Sequence, residues 1–379
     1  MSISSEDFTI GVEEEYQIIN PETRALRQRA QRILPKAKKT VGSDVTNELY
    51  LSQIEVGTPV CRTLSEVRAE LKRLRSGLIT TAHKDQSRIV AAGTHPFSHW
   101  EDQTLTPKNR YFGLAADYQQ LAREQIIFGC HVHVGISDRE LAIQVMNRTR
   151  PWLPALLALT ANSPFWLGID TGYASYRTEL FQRFPTSGIP IVLASRQEYD
   201  DLVSSLVETR SITDASKIYW DVRPSSHFET IEFRIYDVCS KIDETVMAAG
   251  LSRALAKVCA DQAGAGLPIQ HARPELLRAA KWRASRFGLE DELVDVETRQ
   301  SIPARKLIEK LLETVRPGLE AYGDWLEVSR LVEQTLSNGN GAKRQRDAFG
   351  RRGRFEDVVD ALVEDTQANV LTEPTQPLA

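Results

Sequence analysis

Residues 8–19 read FTIGVEEEYQII, and this stretch decides what kind of sheet the chain builds. Apolar and polar side chains alternate along it with the two-residue period of a β-strand. One face would carry Phe8, Ile10, Val12, Tyr16 and Ile18, and the other would carry Gly11, Glu13, Glu15 and Gln17. We therefore predict a strand with an apolar back and a front that presents two carboxylates.

Two later stretches show the same division into a polar and an apolar face. In CHVHVG, His131 and His133 share one face, and in TIEFRIYD, Glu232 and Arg234 share one. Taken alone, each stretch has a common structural explanation that requires no functional site. Alternating charges often mark a solvated sheet face, histidines are often of intermediate burial, and Glu-x-Arg is often a cross-strand ion pair. Their occurrence on separate strands with apolar backs favours one shared polar site.

A fourth extended stretch, residues 48–60, carries two further carboxylates, Glu48 and Glu55. They are seven residues apart, and an odd spacing places them on opposite faces of a straight strand. Both can serve the same site only if a bulge or a turn lies between them.

The carboxylates of these stretches could be crowded on one sheet face only at a cost. Two unit charges 4 Å apart repel by about 4 kcal/mol at an effective dielectric near 20. A divalent cation relieves that repulsion, and oxygen ligands with one imidazole suit Mg²⁺ or Mn²⁺ better than zinc. Arginines beside such a cluster favour a phosphate whose charge must be neutralised during transfer.

The composition of the 379-residue chain is that of an average globular protein, with 41% hydrophobic and 26% charged residues. A net charge of -4 lacks the basic signature of a nucleic-acid binder. No run of about 18 apolar residues is present, so we predict no membrane span. The polar N-terminus does not resemble a signal peptide. The four cysteines are too widely spaced for a CxxC motif, and they favour reduced thiols in a cytoplasmic protein.

Most predicted strands precede residue 240 and only helices are predicted after it, which indicates an α+β fold with an antiparallel or mixed sheet. We assign residues 1–240 to a sheet-bearing catalytic core, 241–366 to a helical C-terminal part of the same domain, and 367–379 to a frayed tail. The glycine-rich basic stretch SNGNGAKRQRDAFGRRG, residues 337–353, is predicted to be a loop. It would be either a solvated connection or a mobile basic flap over an anionic ligand.

Six stretches, in order, match one known family: GVEEEY (11–16), NELYLSQIEVGTPV (47–60), AAGTHPFS (91–98), FGCHVHVGI (128–136), LTANSPFWLGIDTGYASYR (159–177) and YWDVRPSSHFETIEFRIYD (219–237). Through them the chain resembles the carboxylate–amine ligase family, also called glutamate–cysteine ligase type 2. The helical C-terminal third matches more loosely. The resemblance implies a fold similar to that of glutamine synthetase: a curved antiparallel sheet whose concave face holds ATP and metal, with helices packed on the convex side.

The resemblance also implies roles for individual residues. The metal ligands would be Glu13, Glu15, Glu48, Glu55, His131 and Glu232. His133 and Arg234 would bind ATP, Arg234 and Arg223 would be catalytic residues facing the phosphoryl group, and Arg177 and Arg223 would bind substrate. The spacing of the two carboxylates in the fourth stretch is that of an acidic pair in related ligases, which favours a bend there. His95, which precedes a proline in GTHPFS, is predicted to be structural.

The reaction implied is ATP-dependent amide-bond formation through an acyl phosphate, with Mg²⁺ or Mn²⁺ as the metal. The carboxylate would be the γ-carboxyl of glutamate and the amine one such as cysteine, although these motifs do not select the amine. Small molecules are the expected partners, with neither nucleic acid nor membrane, and analogy with the family allows a homodimer. Three alternatives stay open: a phosphotransferase acting on a guanidino or carboxyl group, a non-catalytic nucleotide- or metal-binding protein, and a zinc hydrolase built on the HxH motif.

Overall fold

The computed structural model describes residues 8–270 and 272–370 of the chain. The strands are β1 Ile10–Ile19, β2 Val45–Asn47, β3 Gln53–Gly57, β4 Arg88–Val90, β5 Gly129–Gly135, β6 Phe165–Trp166, β7 Ile169–Asp170, β8 Val222–Pro224, β9 Thr230–Asp237, β10 Glu292–Asp295 and β11 Gln300–Pro303. The helices are α1 Ala30–Val41, α2 Leu64–Lys84, α3 Asn109–Tyr118, α4 Gln120–Arg123, α5 Arg139–Thr149, α6 Leu153–Thr160, α7 Tyr176–Phe181, α8 Arg196–Glu208, α9 Ile242–Gly264, α10 Pro274–Phe287, α11 Ala304–Ala321, α12 Trp325–Asn338, α13 Gly341–Arg352 and α14 Phe355–Gln367.

Seven strands form the main sheet, in the order β2-β3-β1-β5-β9-β8, with β4 paired to the last residues of β1. All of these pairings are antiparallel. The stretch from which the sequence analysis began is thus a central strand, with β3 and β5 on its two sides. The predicted α+β class with an antiparallel sheet is confirmed.

One face of this sheet is the apolar back predicted from the alternation. Ile10, Val12 and Tyr16 of β1 are at most 1% exposed, and Val132 of β5 and Phe233 of β9 are fully buried. Helices α2 and α9 pack on β1, and α9 also packs on β5. Burial of one large apolar side chain contributes roughly 1.5–3 kcal/mol, so these contacts fix the sheet to the helices. The opposite face is left to the polar side chains.

Glu14 interrupts the apolar pattern on the back of β1, where it forms a buried ion pair with Arg75 of α2. Its carboxylate oxygens lie 3.0 Å from Arg75 Nε and 2.5 Å from Nη2. Thr245 of α9 donates to the same carboxylate at 2.6 Å, and Tyr16 also donates to it. A charge so deeply buried is tolerated only when it is paired and hydrogen-bonded. Glu14 therefore joins β1 to both helices while its two neighbours face the opposite side.

A β-bulge interrupts the ladder between β5 and β9. Cys130 pairs with Tyr236 and Val132 pairs with Phe233, so two residues of β9 lie opposite a single residue of β5. The extra residue shifts the alternation of β9 by one position. Asp237 consequently shares the polar face with the even-numbered side chains that precede the bulge.

The C-terminal part contains a small hairpin that the sequence did not predict. Strands β10 and β11 pair antiparallel between α10 and α11. In β10, Leu293 and Asp295 are buried and alternate with more exposed neighbours, whereas β11 contains no buried residue. The prediction that only helices follow residue 240 was therefore wrong at this point, because a four-residue strand with one buried apolar position carries almost no periodic signal.

The basic stretch predicted to be a loop is in fact helix α13. The side chain of Asn340 caps its N-terminus by accepting from the backbone N–H of Lys343 at 3.1 Å, and Gly353 ends it in the left-handed conformation, with φ 67°. Arg344 pairs with Glu244 and with Asp365. The predictions of a solvated connection and of a mobile flap were both wrong, because this arginine is used to pack the helix.

The C-terminal helices share one hydrophobic core with the sheet. Val132 of β5 and Met247 of α9 belong to the same buried cluster, which also includes Leu311 of α11. The division of the chain at residue 240 stays a prediction. Most of the predicted tail, together with the N-terminal residues compared with a signal peptide, lies outside the described residues.

Two further expectations concern the whole chain. The described part contains no helix that is both long and apolar enough to cross a membrane. Cys61, Cys130, Cys239 and Cys259 are all free and buried, as expected for reduced thiols.

His95 has the structural role predicted for it. It is fully buried, and its Nε2 lies 2.9 Å from the carbonyl oxygen of Arg24. Its Nδ1 accepts from the backbone N–H of Ser98 at 2.9 Å. These contacts require the neutral ring with its proton on Nε2, and burial lowers the pKa of His95 to about 4.

Candidate active site

All ten site residues predicted from the sequence line one cavity of about 420 Å³ on the polar side of the sheet. They come from five places: β1 (Glu13, Glu15), the segment of β2 and β3 (Glu48, Glu55), β5 (His131, His133), β8 and β9 (Arg223, Glu232, Arg234) and α7 (Arg177). A cavity of this volume suits a small-molecule ligand. Residues far apart in the sequence therefore meet because neighbouring strands present them on the same face.

The first acidic group consists of Glu13, His133 and Glu232, whose potential ligand atoms lie within 4.8 Å of one another. Directly paired residues of an antiparallel sheet share a face, and Glu13 pairs with His131 while His133 pairs with Glu232. His131 Nδ1 lies 3.0 Å from Glu13 Oε2 and 3.9 Å from Glu232 Oε1. Both histidines therefore reach the carboxylates. The assignment of His131 to metal and His133 to ATP stays a prediction.

The second acidic group consists of Glu15, Glu48 and Glu55, whose ligand atoms also lie within 4.8 Å of one another. Glu15 and Glu55 are paired between β1 and β3. Glu48 follows the end of β2, in the turn that leads into β3, where its Oε1 accepts from the backbone N–H of Leu49 at 3.0 Å. This turn supplies the bend that the seven-residue spacing requires.

The second group is crowded with negative charge. Burial and the charge of Glu15 raise the pKa of Glu48 to about 7. Burial and the charge of Glu48 raise the pKa of Glu55 well above its ordinary value. Burial would also raise the pKa of Glu13, but its interactions with the two histidines hold it well below its ordinary value. A cation bound among the carboxylates of the second group would remove the repulsion that opposes their ionisation.

The donor atoms of both groups fit a hard divalent cation. Carboxylate oxygens with a few imidazole nitrogens are the ligands of Mg²⁺ or Mn²⁺. His133 Nε2 is buried without a hydrogen-bond partner, 3.5 Å from Glu13 Oε1. Its other ring nitrogen lies 2.8 Å from Thr230 Oγ1, which fixes the orientation of the ring as the support of a metal ligand would.

Two arginines share the carboxylate of Glu232, which is 3% exposed. Arg223 donates through Nε to Glu232 Oε2 at 2.7 Å, and Arg234 donates to Oε1. Burial would raise the pKa of Glu232, but the two guanidinium charges, that of Arg234 first, hold it well below its ordinary value. Arg234 Nε is buried without a hydrogen-bond partner. The group thus has one positive charge in excess and a donor to offer an anionic ligand.

Arg177 lies close against the backbone of β5. A Cβ atom added at Gly129 would come within 2.4 Å of Arg177 Nη2, so only glycine leaves room for the guanidinium. Arg177 Nη1 lies 3.8 Å from Oδ1 of Asp237, the residue that the bulge turns to this face. Ser163 and Ser175 donate to the same carboxylate at 2.7 and 2.9 Å. Arg177 Nε has no hydrogen-bond partner and is available to a ligand.

The cavity also contains cationic and aromatic residues that the sequence analysis missed. They include Lys108, Arg110, Tyr111, Phe181, Phe184, Lys217, Tyr219, His227 and Phe228. Phe228 packs edge-on against the ring of His133, with 5.8 Å between centroids. Several of these residues lie within the matched stretches or close to them, and that position was the only sign in the sequence that they belong to the site. Neither alternation nor spacing distinguished them from their neighbours.

Known proteins are similar in sequence to this chain over most of its length. The family model of glutamate–cysteine ligase family 2 matches residues 9–362. A Rhodopirellula baltica protein that bears the provisional name glutamate–cysteine ligase 2 is 42% identical over 363 residues, covering 94% of this chain and 96% of that protein. A Solibacter usitatus protein with the same provisional name is 39% identical over 368 residues, covering 97% and 95%.

Two solved structures resemble the fold. Glutamate–cysteine ligase from Francisella tularensis, in complex with AMP, superposes with a TM-score of 0.71 at 13% identity, covering 98% of this chain and 91% of that one. A bifunctional glutathione synthetase from Pasteurella multocida gives a TM-score of 0.70 at 15% identity, covering 96% of this chain and 53% of that one. These likenesses concern the fold, and they confirm the architecture expected from the sequence.

Proposed function

The chain belongs to glutamate–cysteine ligase family 2, and on this basis we propose that it uses ATP to join the γ-carboxyl group of glutamate to the amine of cysteine or of a related amino compound. The observation that carries the proposal is the meeting of two acidic groups with Arg223 and Arg234 in one cavity. Phosphoryl transfer requires positioning and charge neutralisation rather than a covalent enzyme intermediate, and these residues provide both.

In the first step a carboxylate oxygen of the donor attacks the γ-phosphorus of ATP, the bond to the β-phosphate oxygen breaks, and ADP leaves. Arg234 and Arg223 neutralise the oxygens of the transferred phosphoryl group. Arg177 holds a carboxylate of the donor through its unpartnered Nε. The acyl phosphate that forms is protected from water by the walls of the cavity.

Divalent cations, bound by residues among Glu13, Glu15, Glu48, Glu55, His131 and Glu232, would draw charge from the phosphoryl oxygens and the leaving group. The protein's own contribution is to hold these side chains before the ligand arrives. Glu13 is fixed by its contacts with the two histidines, and His133 is oriented by Thr230. His133 also lies beside Phe228 in the part of the cavity that we assign to ATP.

In the second step the nitrogen of the acceptor amine attacks the acyl carbon. The bond from carbon to the phosphate oxygen breaks, inorganic phosphate leaves, and the nitrogen loses a proton. The amide product conserves part of the free energy of ATP, and no side chain of the protein is modified.

The decisive experiment measures ADP release with a panel of carboxylates and amines, with and without Mg²⁺, and then determines the mass of the product. The expected result is ADP together with an amide whose mass is that of glutamate plus cysteine less one water. ADP without amide would instead support a phosphotransferase, and product without ATP would support a hydrolase. Absence of both ADP and product would support the alternative of a non-catalytic nucleotide- or metal-binding protein.

A further inference from the structure

Lys217 lines the cavity but has no part in the proposed reaction. It is 6% exposed, whereas Arg110, which lines the same cavity, is exposed. Within residues 8–270 and 272–370, no carboxylate forms an ion pair with either side chain. Burial, and then the nearby charge of Arg110, lower the pKa of Lys217. The charges of Asp214 and Asp117 raise the pKa of Lys217 in part, but neither carboxylate forms an ion pair with it, so the ammonium group can still pair with an anionic ligand.

The backbone around Lys217 is held rigidly. It lies in a short 3₁₀ turn, residues 215–217, which begins where Asp214 accepts from the backbone N–H of Ser216 at 2.8 Å. The carbonyl oxygen of Lys217 accepts from the hydroxyl of Thr186 at 2.5 Å. The side chain therefore extends from a fixed point into the cavity, unlike that of a lysine on a mobile loop.

Arg223 connects this turn to the sheet. Its Nη1 donates to the carbonyl oxygen of Ser216 at 2.9 Å and to that of Ile218, on either side of Lys217. Its Nε is bound to Glu232. Much of the guanidinium of Arg223 is thus occupied within the protein, whereas the ammonium group of Lys217 remains available.

The wall beside Lys217 is aromatic. The ring of Tyr219 lies 5.5 Å from that of Phe181 and 5.2 Å from that of Phe184, centroid to centroid. Burial raises the pKa of Tyr219 to about 12, so its phenol is neutral and supplies no negative charge to Lys217. A cation against an uncharged wall favours an anionic group carried by an organic molecule.

We propose that Lys217 and Arg110 form an anion subsite, separate from the group of Arg223, Glu232 and Arg234, that binds a carboxylate or a phosphate of a substrate. For the identity of the ligands, this inference rests on the proposed function. The candidate sources are the phosphates of the nucleotide, a carboxylate of glutamate and the carboxylate of the acceptor amino acid. Arg110 lies at the exposed side of the cavity and Lys217 at the buried side.

The test is a calorimetric titration of the full-length protein with MgADP, with glutamate and with cysteine, for the wild type and for Lys217→Met. A hydrogen bond to a charged group corresponds to an affinity difference of about 10- to 100-fold. We expect Lys217→Met to weaken one of the three ligands by that factor and to leave the other two unchanged. The ligand that is weakened identifies the source of the anionic group.

Three further variants control the measurement. Lys217→Arg retains the charge and should recover part of the affinity. Arg110→Gln changes an exposed side chain, so it should fold normally, and it should weaken the same ligand several-fold. Lys306→Met removes an exposed lysine that pairs with Glu309 on α11, far from the cavity in the sequence, and should bind all three ligands as the wild type does.

The subsite is overturned if Lys217→Met and Arg110→Gln both bind all three ligands within twofold of the wild type, or if the wild type binds none of them. If circular dichroism shows that Lys217→Met is unfolded, the affinities of Arg110→Gln alone test the subsite. Failure of the proposed function gives a different result: the wild type forms no amide, but Lys217→Met still weakens the affinity for one ligand. Amide formation with unchanged affinities in both variants would retain the function and remove the subsite.

Discussion

Arg223 and Glu232 lie directly opposite each other on β8 and β9, and the guanidinium Nε donates to the carboxylate Oε2 across 2.7 Å. The same arginine holds the turn that carries Lys217. One buried residue therefore links the acidic side of the cavity to its cationic side. Such a linkage places opposite charges at fixed separations before any ligand binds, which is what charge stabilisation in catalysis requires.

Glu13→Gln should abolish turnover and leave the fold intact. The side chain of Glu13 is 30% exposed and the substitution keeps its shape, but a neutral amide cannot serve as an anionic ligand. ADP release should fall at least about 100-fold, with circular dichroism unchanged. Glu22→Gln, in the exposed turn after β1, is the matched control. Near wild-type ADP production by Glu13→Gln would show that this site assignment is wrong.

Mg²⁺ should stabilise the wild type against heat through the second acidic group. At a concentration of 100 times its dissociation constant, a ligand that binds only the folded state adds about 2.7 kcal/mol. Glu55→Gln should unfold at a higher temperature than the wild type without metal, because it removes a carboxyl group whose ionisation is opposed by burial and by the charge of Glu48. It should also respond less to Mg²⁺. Equal shifts with Mg²⁺ in wild type, Glu55→Gln and Glu22→Gln would place the ion elsewhere.

Gly129→Ala should impair substrate binding more than stability. The new methyl group would lie 2.4 Å from Arg177 Nη2, and the end of a long side chain moves more easily than the strand. We expect the KM for the carboxylate donor to rise by about tenfold or more, since a charged hydrogen bond is displaced. Gly350→Ala in α13, where a Cβ would meet nothing within 4 Å, is the control and should be neutral or slightly stabilising. An unchanged KM in Gly129→Ala would argue against Arg177 as a substrate ligand.

His95 should make folding sensitive to acid. Its pKa is about 4 in the folded protein and 6.5 for a solvated histidine side chain, so between these values the unfolded state binds more protons. Stability should therefore fall as the pH decreases from about 6.5 to about 4, by roughly 3 kcal/mol from this group. Urea unfolding of wild type and His95→Gln at pH 7 and pH 4.5 measures this. The variant should be the less stable protein at pH 7 and should lose less stability on acidification. An equal loss of unfolding free energy in both proteins between pH 7 and pH 4.5 would refute the prediction.

Arg75→Met should destabilise the protein by about 3–5 kcal/mol, because it leaves the carboxylate of Glu14 buried without its counter-ion. The double variant Glu14→Gln with Arg75→Met should recover much of that loss. Chemical denaturation of the wild type, the two single variants and the double variant forms the necessary cycle. If the double variant is as unstable as the sum of the two single variants, the pair is not coupled.

The alternation of apolar and polar residues was sufficient to predict β1, β5 and β9, which carry six of the site residues. Burial of one sheet face imposes the two-residue period, so Glu13 and Glu15 had to face away from Ile10 and Val12. The same reasoning indicated that Glu48 and Glu55 needed a bend, although only the structure could show that the bend is a turn between two strands.

Other features depend on contacts between distant segments and leave little trace in a local pattern. Lys217 is defined by the hydrogen bonds that its turn makes with Thr186 and Arg223, and its own neighbours in the sequence show no period. Helix α13 resembles a loop in composition because its stability comes from the cap at Asn340 and from the ion pairs of Arg344. Tertiary interactions overrode weak helix propensity there.

Because of the bulge in β9, an even-numbered and an odd-numbered residue of one strand lie on the same face of the sheet. Glu232, before the extra residue, lines the cavity, and Asp237, after it, lies 3.8 Å from Nη1 of Arg177, which lines the same cavity. Glu232 and Asp237 are five residues apart, so a regular strand would place them on opposite faces, turn Asp237 toward the helices and leave Arg177 without its carboxylate. The extra residue of the bulge is therefore what allows one strand to hold Glu232 and Asp237 on the polar side of the sheet.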